Sequence, residues 1–241
     1  MTPKSNPGLI TFKRKDKNPK YIDLAAIKFM EHFKVKRKYV DQIFGMLKLS
    51  KAWKKSTLKN DLERWKKFFP FKKATEIIDL VESSFMQCPD DEGINKLRGT
   101  ITESIAIAYL WNKYNAEDYG WGAQVIVNKA CGSAEVIKYN CDLYKYESCG
   151  KRSTIDVGYW SGYHGIFYEC KITPKHFGCK EVQYLNTLHE TLLKNSITHE
   201  IFLVTLYSTD AEEMNLNLTD YPPSFQLHLI DNRELKKVLS A

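Results

Sequence analysis

Asp156, Glu169 and Lys171 stand in the stretch STIDVGYWSGYHGIFYECKIT, residues 153–173, which is otherwise apolar, aromatic and small. Two carboxylates and an amine brought together suit phosphodiester hydrolysis. The acids hold a divalent cation, the cation activates a water, and the amine stabilises or deprotonates that water. The spacing brings them together if the stretch is a hairpin. Gly162 followed by Tyr163 suits a two-residue type II′ turn, which takes Gly at its first central position. Ser161 then faces His164, and Asp156 directly faces Glu169, with Cβ atoms about 4.5–5.5 Å apart on the same side of the pair. Strand periodicity places Asp156, Gly158, Trp160, Gly165, Phe167, Glu169 and Lys171 on one face. Carboxylates this close repel by about 1 kcal/mol in water and several times that where water is partly excluded, so a cation must sit between them. Lys171 supplies one charge, and Mg²⁺, which takes one or two carboxylates and accepts phosphate oxygens, supplies the rest. The competing reading is a structural ion network on a solvated face, against which stand the opposed aspartate and the aromatic neighbours.

The elements that must position this hairpin follow from periodicity. A helix TITESIAIAYLWNKY precedes strand-like runs at residues 123–130 and 135–140. After the hairpin come a helix near residues 181–195, the strands HEIFLVTLYS and FQLHLID, and a short terminal helix. A strand, helix, strand crossover of this length implies a parallel pair grafted onto the antiparallel hairpin, hence an α/β fold with a mixed sheet. Upstream, Leu24, Ile27, Phe29, Met30 and Phe33 recur at helical spacing, as do Val40, Ile43, Phe44 and Leu47. Ser50 is a candidate cap for a third helix over residues 51–69, with Trp53, Leu58, Leu62 and Trp65 inside and Lys51, Lys54, Lys55 and Lys59 outside. Two short helices, a turn after Gly45 and a basic third helix resemble a helix-turn-helix, or a helical hairpin of no such role. The first twenty residues read as a mobile basic arm. A boundary near residue 90 divides a basic helical region, 1–92, from a second domain, 93–241.

Charge is segregated along the chain. Residues 1–73 hold 21 Lys and Arg against 6 Asp and Glu, or +15, and the remainder carries −8, within a total of +7 over 241 residues. A phosphate-binding region attached to an acidic, metal-binding body has this distribution, as does a lysine-rich solvated helical surface. No apolar run approaches the roughly 20 residues of a membrane span, and no apolar core of signal-peptide length opens the chain. A cytoplasmic protein without membrane partners is expected. Six cysteines include no C-x-x-C pair, which predicts reduced thiols. A zinc clamp from Cys131, Cys141, Cys149, His176 and Cys179 matches no common spacing.

Asp156, then Glu169, Cys170 and Lys171, together with the order helix, strand, hairpin, helix, strand over residues 97–231, resemble the PD-(D/E)xK nucleases of restriction-endonuclease-like fold. The family's proline is replaced by Ile155. The resemblance implies that Asp156, Glu169 and the Cys170 carbonyl hold Mg²⁺, with Mn²⁺ as a substitute, and that Lys171 positions or activates the attacking water. A further family glutamate on the helix before the sheet matches Glu103, although Thr100 and Glu103 also spell a capping box. Lys175, Lys180 and Gln183, after the hairpin, match positions near the scissile strand.

The expectation is therefore a Mg²⁺-dependent endonuclease acting on double-stranded DNA, resembling type II restriction enzymes and acting as a homodimer. The resemblance implies 5′-phosphate and 3′-hydroxyl ends. Within the same chemistry stand a transposon end-cleaving subunit, a junction resolvase and a repair or phage-defence nuclease. From another class stands a non-catalytic DNA-binding protein.

Overall fold

The computed structural model describes residues 8–35, 38–69, 74–129, 132–142 and 144–240. The chain runs through strand β1 (Ile10–Arg14) and helices α1 (Lys20–Val35), α2 (Val40–Leu49), α3 (Leu58–Lys66), α4 (Thr75–Met86) and α5 (Asp91–Tyr114). Next come β2 (Tyr119–Asn128), β3 (Ala134–Val136), β4 (Tyr139–Asn140), β5 (Lys151–Arg152) and the hairpin strands β6 (Ile155–Trp160) and β7 (His164–Lys171). Helix α6 (Cys179–Lys194), β8 (Thr198–Thr205), α7 (Ala211–Asn217), β9 (His228–Ile230) and α8 (Asn232–Leu239) complete it. The fold is α/β, with a mixed sheet flanked by helices, as the alternation of elements predicts. Among the described residues no helix is long and apolar enough to cross a membrane.

The chain packs as two compact units: described residues up to Asp16 with Ala116–Asp231, and Lys17–Asn115 with the residues from Asn232 onward. These bounds differ from the 1–92 and 93–241 read from sequence, at both ends. Part of the expected mobile arm is strand β1, which pairs antiparallel with β2 from Ile10↔Val127 to Arg14↔Ala123. The reason is a short alternation, Ile10 and Phe12 against Thr11 and Lys13, masked by the surrounding lysines. Its exposed lysine and arginine suit an edge strand, where charge discourages further pairing.

In the helical unit, α1 packs against α5. The buried stripe of α1 is Ile22, Ala26, Phe29 and Phe33, whereas Leu24 and Ile27 stay exposed. Trp53, Leu58, Leu62 and Trp65 are buried as expected, but the third helix is not continuous over 51–69. Ser50–Ala52 is a 3₁₀ turn and α3 starts at Leu58. Lys55 explains the break: its amide donates to Asp91 Oδ1 at 2.7 Å, and its ammonium donates to the Met86 and Cys88 carbonyls at the end of α4. A cation there meets the unpaired carbonyls and negative pole of a helix C-terminus. Helix α2 runs through Gly45 to Leu49, so residues 50–57 separate α2 from α3. That segment is longer than the 3–4 residue turn of a helix-turn-helix.

Helix α5 starts well before Thr100. Asp90 is extended and its carboxylate accepts from the Gly93 amide at 2.8 Å, with Asp91 and Glu92 in the first turn at the positive helix pole. Thr100 Oγ1 instead donates to the Lys96 carbonyl within the helix. The capping box expected at Thr100 and Glu103 is therefore absent, because Asp90 is the stronger start signal.

In the sheet unit the strand order is β1-β2-β6-β7-β8-β9, with β3 also on β2. The hairpin has the expected register: Val157↔Tyr168, Gly158↔Phe167, Tyr159↔Ile166 and Trp160↔Gly165. Gly162 turns with φ +95°, a value disfavoured for side-chain-bearing residues, and the Ser161 amide donates to the His164 carbonyl at 3.0 Å. Strand β7 pairs parallel with β8, and β8 with β9. Helix α6 seats Val182, Leu185, Leu188 and Leu192 in a core that includes Val125, Val127, Phe167 and Leu203.

Gly158 serves packing. A Cβ built there falls 2.4 Å from the Phe12 ring, which also lies over Gly120. Gly158→Ala is expected to destabilise the chain by about 1–3 kcal/mol through overpacking. In a Phe12→Leu background the same change should cost less, and a double-mutant cycle of urea unfolding checks it.

Candidate active site on the β6–β7 hairpin

Asp156 and Glu169 continue the hairpin register one step beyond Val157↔Tyr168, where the backbone ladder ends. Alternate pairs of an antiparallel ladder exchange hydrogen bonds, so the Cys170 amide would donate next to the Ile155 carbonyl. It donates instead to Asp156 Oδ2 at 2.7 Å. One oxygen of Asp156 thus replaces the ladder acceptor, and the other is turned toward Glu169.

Between the two acids stands Arg152. Its Nη2 lies 2.8 Å from Asp156 Oδ1 and 2.6 Å from Glu169 Oε2, and its Nε donates to the Thr154 carbonyl at 3.1 Å. Lys171 Nζ lies 3.0 Å from Glu169 Oε1 and 3.3 Å from Glu181 Oε1; Arg152 Nη1 lies 3.7 Å from that same Glu181 oxygen. Glu181, in the first turn of α6, accepts from the Gly178 amide through its other oxygen at 3.3 Å, which holds it in place. Three carboxylates around two cations leave the cluster one negative charge.

Water is nearly absent here. Glu169 has 0% exposure and Asp156 8%. The network is buried, so the solvated face weighed from sequence is not what the hairpin presents. Burial pushes the Glu169 carboxyl up to about 7; Arg152 and Lys171 oppose that rise, and Asp156 and Glu181 add to it. Burial works to lower the Lys171 ammonium, but the carboxylates, Glu169 first, outweigh it and hold it raised above its ordinary value. Arg152 is raised by the same balance. Lys171 is therefore an ammonium, a fixed positive charge. Two oxygens remain unsatisfied: Glu169 Oε1 and the Tyr184 hydroxyl are buried without a hydrogen bond. The Lys171 ammonium attracts the first without being aligned to donate to it.

The donor set fits a hard divalent cation. Such ions take carboxylate oxygens at about 2.0–2.6 Å, and Asp156 Oδ1 and Glu169 Oε2 already converge on one nitrogen at 2.8 and 2.6 Å. An ion at that point requires the Arg152 guanidinium to withdraw. The contribution found for Cys170 is its amide, which orients Asp156.

Of the other residues singled out from sequence, Glu103 lies on α5, in the helical unit. Lys51, Lys54, Lys55 and Lys59 are exposed as expected. Lys54 pairs with Asp91 at 3.4 Å, and Lys55 is committed to the α4 carbonyls. Lys175 is exposed in the 3₁₀ turn Pro174–His176, and Lys180 and Gln183 are half-buried on α6, in the unit of the hairpin. Sequence reasoning missed Arg152 and Glu181. A signal existed for the first: Arg152 is the sole arginine between residues 99 and 232, four positions before Asp156.

A carboxyl raised by burial stabilises the fold most below its unfolded value, and that contribution is lost as pH rises through its folded value. For Glu169 these limits are 4.5 and about 7. The native chain is expected to lose stability relative to Glu169→Gln between about pH 5 and about pH 8, read as urea midpoints at both values. A difference that stays constant with pH would remove the titrating acid from the site.

No protein-family model matches the chain, and no curated protein matches it. Among solved structures, protein VC1899 from Vibrio cholerae aligns with 96% of this chain and 57% of its own length, at 13% identity and a TM-score of 0.43. This chain thus spans little more than half of that structure, and no residue role is carried over from so loose a likeness.

Proposed function

We propose that the chain is a divalent-metal-dependent nuclease that hydrolyses phosphodiester bonds in double-stranded DNA, with Asp156, Glu169 and Lys171 as its catalytic group. The observation that carries this reading is the convergence of the two carboxylates on one buried point, with the Lys171 amine on the other oxygen of Glu169. Asp156 Oδ1 and Glu169 Oε2 would hold Mg²⁺ or Mn²⁺. Bound there, the cation supplies Lewis acidity toward a phosphate oxygen and the attacking water.

Everything else falls to the chain. The Cys170 amide fixes the Asp156 rotamer. Lys171, kept charged, places an ammonium where negative charge grows on the phosphate, the type of preorganised stabilisation that costs little at the moment of reaction. The Tyr184 hydroxyl, buried without a partner, has a free O–H to offer a substrate oxygen or water. With a cation held by the acids, Arg152 would be free to meet a phosphate, which its planar fork suits. Lys175, Lys180 and Gln183 belong to the same unit, and the exposed Lys51, Lys54 and Lys59 to the basic helical unit, where sequence-independent phosphate contacts would lie. Two copies would match the two-fold symmetry of a duplex.

A second reading has its own observation. Arg152 already pairs with both acids, so the cluster would serve as a buried structural network in a DNA-binding protein that does not cut. Incubating plasmid DNA with the purified chain and Mg²⁺ separates the two. The nuclease reading expects cleavage that falls by about 100-fold or more in Asp156→Asn and in Lys171→Ala, while DNA affinity is retained and declines linearly with salt on a logarithmic scale. Binding without cleavage in Mg²⁺ and in Mn²⁺ establishes the structural network instead.

A further inference from the structure

Three thiols far apart in sequence meet beside this site. Cys141 follows β4, Cys149 precedes β5 and Cys179 opens α6, yet their Sγ atoms all lie within 4.8 Å of one another. Cys149 and Cys179 are 3.5 Å apart, too far for the roughly 2.05 Å of a disulfide bond. The distance is instead that of co-ligands: a tetrahedral zinc ion with bonds of about 2.3 Å to sulfur holds its sulfurs about 3.8 Å apart.

A backbone donor is aimed at one of the three sulfurs. The Tyr146 amide donates to Cys149 Sγ at 3.3 Å. Donors aimed at sulfur are the outer-shell contacts that orient metal ligands. The segment they tie down has little regular secondary structure. Strands β4 and β5 pair at Tyr139↔Arg152 and Asn140↔Lys151, and the described residues between them form no helix or strand. Further ties reach the same helix end: the Cys179 amide donates to Ser148 Oγ at 2.8 Å and the Lys180 amide to the Ser148 carbonyl at 3.2 Å. Short irregular segments of this type are the ones that structural zinc stabilises.

We infer that Cys141, Cys149 and Cys179 bind one zinc ion through three thiolates. Among the described residues no histidine, aspartate or glutamate joins them, and solvent completes the tetrahedron. The ion clamps the 138–152 segment to the N-terminus of α6. It thereby links Arg152, three residues after Cys149, to Glu181, two residues after Cys179. The site is independent of whether the hairpin cuts DNA, and three of the five residues weighed for a zinc clamp from sequence form it. Of the other two, Cys131 lies outside the described residues and His176 is exposed.

The test is elemental analysis of the full chain purified in reductant without chelator, beside Cys141→Ser and Cys179→Ser. About one zinc per chain is expected in the native protein, with loss in both variants. Because a variant that fails to fold would also lose metal, the native chain is stripped with chelator and titrated with Co²⁺. Uptake with the thiolate-to-cobalt charge-transfer band supports three sulfur ligands. A native chain that retains no zinc and shows no such band overturns the inference, as does peptide mapping that finds Cys149 and Cys179 joined in a disulfide.

Discussion

The guanidinium of Arg152 between the carboxylates of Asp156 and Glu169 is the contact on which the rest of the hairpin's chemistry depends. The register places two acids opposite each other at the point where the backbone ladder stops, in a volume almost without water. Neither can stay ionised there alone, since desolvation of an unpaired charge costs several kcal/mol. Removing the arginine without a replacement would leave that penalty unmet. The hairpin therefore demands a cation at one point, and the chemistry follows from which cation occupies it.

Charge counting sharpens that choice. With Arg152 in place, the three carboxylates of Asp156, Glu169 and Glu181 face two positive groups and one negative charge remains. A divalent ion in place of the guanidinium brings the sum to zero. The Glu169 carboxyl is raised chiefly by burial, and the neighbouring acids Asp156 and Glu181 add to the rise. A purely structural network has no use for that surplus, because a fully paired arrangement or an apolar one of equal volume is as stable or more so. Under the proposed nuclease function, exchange of one cation for another would use it.

The hairpin was legible because its determinants are local. Gly162 sets the turn, the turn sets the register, and period-two alternation brings Asp156, Glu169 and Lys171 together without knowledge of the remaining fold. Arg152 and Glu181 were hidden for the opposite reason. One sits on a strand of two residues and the other in the first turn of a helix, and only tertiary packing brings them to the acids. The start of α5 shows local signals in competition. Thr100 and Glu103 form an acceptable capping pair, but Asp90, with acids behind it, starts the helix ten residues earlier and absorbs Gly99, whose added Cβ would meet nothing within 4 Å. Strand β1 was lost among lysines because its two inward side chains, Ile10 and Phe12, are too few to stand out from a basic background. The continuous third helix failed for a tertiary reason, the capture of Lys55 by the carbonyls that end α4.

Where the charges sit in the fold decides which of them can move. Asp156 and Glu169 lie in β6 and β7, which hold the middle of the sheet, and Asp156 is oriented by a backbone amide. Glu181 is tied to the Gly178 amide at the head of α6. Arg152 is on β5, outside that sheet, in a two-stranded ribbon with two residue pairs. Elements with few backbone partners open at lower free energy than central strands. The acids are thus presented by central strands, as a binding constellation requires, and the cation that covers them is carried by a strand with two residue pairs of its own. An arrangement whose purpose was solely to neutralise buried charge would gain nothing from placing its arginine there.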